Sequence, residues 1–76
     1  DGGTTLSLTP RQVEVLTMLA RGASDREIAQ ALGLSQRTVK WHIQEAGQRL
    51  GANGRIHAVS IALRHGLLPT EGAGDR

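Results

Sequence analysis

Cysteine, phenylalanine and tyrosine are all missing from this 76-residue chain, which holds one tryptophan, one methionine and two prolines. Without cysteine there is no disulfide framework and no cysteine zinc site to reinforce a small core, and the redox compartment is left open. A reducing cytosol is compatible with that. No apolar run approaches the roughly 18 residues that a bilayer crossing needs, and no charged-then-apolar amino terminus suggests a signal peptide. The chain therefore reads as soluble and cytoplasmic, with no membrane partner. Its first residue is Asp1, not methionine, so a piece of a longer protein is expected, in which any upstream domain would lie outside this sequence. A chain this short buries only about 60% of its unfolded surface, which predicts one domain of modest stability.

The net charge of +2 conceals an asymmetry, because Asp1, Glu71 and Asp75 lie in the glycine-rich ends. Between Thr9 and Gly66 there are eight Arg and Lys against four Asp and Glu, an excess of four. Such a basic surplus favours nucleic acid or an anionic surface, although a soluble domain with solvated charges also accommodates it.

The ends, residues 1–7 and 69–76, are rich in glycine and polar residues and are expected to be flexible. Between them, residues 8–68 read as four helices. The first opens at Thr9-Pro10-Arg11-Gln12, with Thr9 as N-cap, Pro10 at the first helical position and Gln12 completing a capping box. Val15, Leu16 and Leu19 form its apolar stripe and Gly22 ends it. The second opens at Ser24-Asp25-Arg26-Glu27, turns Ile28, Ala29 and Leu32 to the core, and stops at Gly33. The third opens at Ser35 and closes at Gly51. Apolar residues just before these starts can staple onto the first turn: Leu8 onto Val13, Ala23 onto Ile28, Leu34 onto Val39. Asn53 or Gly54 starts the fourth, with Ala58, Val59, Ala62 and Leu63 as its core stripe and Gly66 as its left-handed stop. No strand pattern competes.

Only Gly33-Leu34-Ser35 separates the second and third helices, the kind of short glycine-containing turn that joins a helix-turn-helix at a steep angle. Helices this short must share a core. The fold class is therefore all-α, a tetrahelical bundle containing a helix-turn-helix.

Catalysis has little support. His42, His57 and His65 are the only histidines, no HExxH is present, and no glycine-rich loop ends in Lys-Ser or Lys-Thr. Ser60 and Asp25 with a histidine do not make a hydrolase in a core with no evident pocket. His57 and His65 stand two turns apart, roughly 12 Å along a helix, too far to share a metal. No enzyme activity, cofactor or metal site is expected.

A recognition surface has more. On the third helix Val39, Ile43, Ala46 and Leu50 fall on one stripe. Trp41, the only aromatic residue, lies roughly 160° from the centre of that stripe, among Arg37, Lys40, Gln44 and Gln48. Lys40, Trp41 and Gln44 stand one turn into the helix, where a recognition helix reaches base edges. Lysine suits guanine acceptors, glutamine suits adenine, and an indole can meet thymine methyl groups or the sugar-phosphate wall. Ser24, Ser35 and Thr38 bring hydroxyls and free N–H groups to helix amino termini, where phosphates bind readily. Arg26, Arg37 and Arg55 can add charge-assisted contacts to the same backbone. Simple capping by the serines is compatible with that role. Covering the edge of the core is the competing role for Trp41, and a solvated face the competing role for the arginines.

These residues carry a resemblance. LTPRQVEVLTMLARGASDREIAQALGLSQRTVKWHIQEAGQRLG followed by GRIHAVSIALRHGLL resembles the LuxR/NarL-type helix-turn-helix domain of bacterial transcription regulators, over roughly Leu8 to Leu68. The LTPR opening, EIAxxLGLSxRTVKxH, the LG step and the segment from Arg55 to Val59 are its specific pieces. The resemblance implies that the third helix, about 35–50, enters the major groove of double-stranded DNA and that the fourth joins two copies into a homodimer. It implies base-facing positions at Lys40, Trp41 and Gln44, and positions near phosphates at Ser24, Thr38, His42 and Arg55. On the fourth helix His57, Ile61 and His65 recur at i, i+4 and i+8, away from the expected core stripe. They are the expected dimer face, with Ile61 most in need of a partner.

Three departures stand out. Gln12 replaces a common glutamate, Gly54 replaces a better capping residue, and Ala46-Gly47 replaces larger apolar residues late in the third helix. The interior glycine predicts a looser or shifted second half. Two other readings compete: a helical protein-interaction module docking to RNA polymerase or an antagonist through Trp41 and Ile61, and a sigma-factor promoter-reading domain. The extra helix after Gly51 argues against the second.

Overall fold

The structure, a computed structural model, describes residues 7–69. The two expected flexible ends therefore lie, apart from Ser7 and Pro69, outside the described residues. Four helices follow in order: α1 Pro10–Ala20, α2 Asp25–Leu32, α3 Gln36–Leu50 and α4 Arg55–Arg64, with no strand among the described residues. None is long and apolar enough to cross a membrane.

Three helices start as their sequences dictate. Thr9 Oγ1 accepts from the Gln12 N–H at 3.2 Å and Gln12 Oε1 accepts from the Thr9 N–H at 3.0 Å, while Ser24 and Glu27 reciprocate in the same way at the start of α2. Gln12 is buried. A neutral amide completes that capping box without the desolvation cost that a carboxylate would carry there. At α3, Ser35 Oγ accepts from the Thr38 N–H at 3.1 Å and donates to Thr38 Oγ1 at 3.0 Å. The turn into α3 depends on Gly33, whose φ of +70° lies in the left-handed region that a side chain resists.

The fourth start differs. Gly54 is the N-cap and has no side chain to offer, and Asn53 does not cap either: its backbone N–H donates to His57 Nδ1 at 3.0 Å. The imidazole, reaching back from the first turn of α4, satisfies a donor just ahead of the helix, while the N-terminus of α4 itself has no side-chain cap.

Two buried clusters share α1 and α3. Val15, Ile28, Ala29, Val39 and Ile43 hold the amino-terminal three helices together. Leu16, Ala46, Leu50, Ala58, Ala62 and Leu68 seat α4 against α1 and α3. Gly47 neither breaks nor displaces α3, which runs unbroken to Leu50 because the packed positions on either side of the glycine, Ala46 and Leu50, are both buried. The register of α4 is rotated from the expected one. Ala58 and Ala62 are buried and Ile61 packs on the same cluster, whereas Leu63, expected inside, is 44% exposed. Two alanines about 100° and 140° round the helix from Leu63 set the line of closest approach, and the larger side chain is turned out.

Candidate nucleic-acid interface

α3 is anchored by Val39 and Ile43, so its opposite side is open. Arg37, Lys40, Trp41, Gln44 and Gln48 are all exposed there. Trp41 is 54% exposed and meets the His42 ring edge-on at 5.0 Å between centroids. It does not cover the core. His42 itself is half-buried, on the flank of the helix next to the half-buried Thr38.

Ser24 and Ser35 act as N-caps, and the Ser35 hydroxyl also donates to Thr38 Oγ1. Arg26 and Arg37 are exposed in the first turns of α2 and α3. Arg55 has a partner that no local pattern suggests. Its Nη1 and Nη2 donate to the two carboxylate oxygens of Asp25 at 2.6 and 3.3 Å, tying the first turn of α4 to the first turn of α2 across 30 residues of sequence. The hydrogen bond from Arg55 holds the Asp25 carboxyl below its ordinary range, opposed by burial and assisted by the charges of Arg55 and Lys40. Asp25 in turn raises the Arg55 guanidinium further.

Lys40 and Gln44 share with Arg55 the walls of one open groove of about 340 Å³, floored at Gly47 and closed by Ala52, Asn53 and Gly54. The groove thus joins two of the three expected base-facing residues to one of the expected phosphate-facing residues. Trp41 stands outside it. On α4, His57 is engaged with Asn53, Ile61 is half-buried on the molecule's own core, and His65 is the exposed C-cap. The apolar residue most in need of a cover is Ile56, 83% exposed, with Leu63 two turns further along the same side. Ile56 could have been found in the sequence, since it falls about 120° from Ala62 and about 160° from Ala58 on a helical wheel. Asp25 could not, because its only signal was local: an acidic residue in the first turn of α2.

Comparison with known proteins agrees with this arrangement. Residues 6–62 match the family described as bacterial regulatory proteins, luxR family. Over 61 residues the chain is 43% identical to the transcriptional activator BjaR1 of Bradyrhizobium diazoefficiens, covering 80% of this chain and 25% of that one. It is 44% identical to the spore germination protein GerE of Bacillus subtilis, covering 80% of this chain and 82% of GerE. The solved structure of GerE superposes with a TM-score of 0.78 at 39% identity, over 82% of this chain and 92% of that one. A VqmA–ligand–DNA complex of Vibrio cholerae superposes with a TM-score of 0.76 at 31% identity, over 88% of this chain and 29% of that one. GerE is of similar length, whereas this chain spans about a quarter of BjaR1. The four-helix fold is that of a known domain: the chain belongs to the luxR family of bacterial regulatory proteins, as the helix-turn-helix DNA-binding domain of its transcription regulators.

Proposed function

We propose that this chain reads specific sites in double-stranded DNA as a homodimer, with α3 in the major groove, and so regulates transcription in the cytoplasm. The observation that carries the reading is the open side of α3: a basic, amide-bearing surface with an exposed indole, presented one turn beyond a tight inter-helix turn. Lys40, Trp41 and Gln44 face bases. Ser24, Arg26, Ser35, Arg37, Thr38, His42 and Arg55 lie around them and meet phosphates through hydroxyls, ring nitrogens, guanidinium groups and free backbone N–H groups. The relative VqmA, solved as a DNA complex, supports the same use of a similar fold.

A second copy packs on α4. Ile56 and Leu63 supply the exposed apolar surface, with His57, Ile61 and His65 along the adjoining flank. The exposure of Ile56 also favours a second occupant of that surface, RNA polymerase. Residues 8–68 act as the binding unit.

The test is selection of bound duplexes from a random library at about 150 mM salt, followed by sequencing. The expected result is a two-fold symmetric motif with half-sites about one helical turn or less apart. A folded protein that enriches no sequence would end the specific-DNA reading. Protein partners are distinguished by salt: affinity for DNA should fall with a log-log slope of about −0.9 per phosphate neutralised.

A further inference from the structure

We propose that Asp25 is a positioning residue for DNA binding: it holds the Arg55 guanidinium in one orientation with an edge left open, so that Arg55 meets a phosphate already ordered. This rests on the DNA reading above. The pair has an inner and an outer member, since the Asp25 side chain is 14% exposed and that of Arg55 43%. Asp25 is fixed at the start of a capped helix, directly after Ser24, and engages one hydrogen on each terminal nitrogen of the fork. The remaining donors of Arg55, Nε–H included, bond to no described residue. They belong to the more exposed member of the pair, which lines the same groove as Lys40 and Gln44.

Two effects of the carboxylate oppose each other. An unheld arginine must lose its rotamer freedom when it docks, and a bidentate partner removes that loss beforehand. Against this, Asp25 is an anion near a polyanion. A phosphate on the outer edge of the guanidinium stands roughly one Debye length (about 8 Å) from a carboxylate on the inner edge, with the cation between them, so the repulsion is weakened. Ordering is local and unscreened, and it wins.

The experiment measures binding of the whole chain to a fluorescein-labelled mixed-sequence duplex by anisotropy over a range of salt, with folding monitored by circular dichroism. D25N should bind about three- to tenfold more weakly than the wild type. R55A should bind more weakly still and reduce the steepness of the salt dependence by about 0.9. The double variant D25N/R55A should bind no more weakly than R55A, because Asp25 then has nothing to position. R55K, which keeps the charge but not the fork, provides an independent check and should lose a factor similar to that lost by D25N. D25N binding as tightly as wild type or more tightly, D25N costing the same factor in the R55A background, or R55K binding like wild type would each overturn the proposal. A wild-type chain that binds no duplex removes the DNA reading and this inference together. Wild-type binding that D25N leaves untouched removes only the inference.

Discussion

Lys40 is exposed on α3 with Ile43 buried one turn beneath it, so its ammonium group is held over the open face without structural duties of its own. Lys40→Ala is expected to weaken binding to the preferred duplex by about 1–3 kcal/mol while leaving thermal unfolding nearly unchanged. An unaltered ranking of sites would remove Lys40 from base readout. Asp25 lends itself to a pH measurement with a definite sign. Its carboxyl is held below the ordinary aspartate range by Arg55, so the folded state prefers the ionised form. That preference contributes stability above the unfolded value of about 3.9 and is lost as pH falls through the lower folded value. The stability difference between wild type and D25N, by urea unfolding, should be steady from neutral pH to about pH 5 and shrink below about pH 4. The exposed Arg55 and solvent screening keep it small. A difference that grew on acidification would contradict the ion pair.

At the scale of the helix, the clearest lever is Gly47. A Cβ built there meets nothing within 4 Å, and the backbone is helical. Gly47→Ala should therefore stabilise the fold by about 0.5–1 kcal/mol, chiefly by reducing the freedom of the unfolded chain. In a domain of this size that corresponds to a rise in melting temperature of a few degrees, about 4–8 °C per kcal/mol. A fall in melting temperature would mean that the second half of α3 needs the glycine itself. Helix starts and stops were legible in the sequence because a cap is a local event: Thr9, Ser24 and Ser35 each bond to a donor three residues away. The fourth start escaped that logic, since Gly54 offers no side chain and the donor at Asn53 found an imidazole four residues on.

For the whole molecule, Val15 and Leu16 send neighbouring side chains of α1 into different clusters, and both are fully buried. Leu16→Ala leaves a cavity in the cluster that seats α4, which should cost about 2–5 kcal/mol. Total stability is roughly 0.05–0.15 kcal/mol per residue, so this variant should be partly unfolded near room temperature by circular dichroism. A loss below about 1 kcal/mol would show that the site collapses around the smaller side chain.

The number, order and limits of the helices, the short turn before α3 and the outward side of Trp41 all follow from the chain itself. Each depends on residues within one or two turns of one another: a cap, a glycine that tolerates positive φ, a stripe repeating at helical spacing. The rotation of α4 about its axis, the emergence of Ile56 and Leu63, and the pairing of Asp25 with Arg55 come from packing. α4 has apolar residues on several sides, so its own pattern fits more than one register. The choice falls to Ala58 and Ala62, whose small side chains let α4 settle against Leu16, Ala46 and Leu50. That docking brings Arg55 to Asp25 across 30 residues, a proximity that arises when the helices close on their shared core.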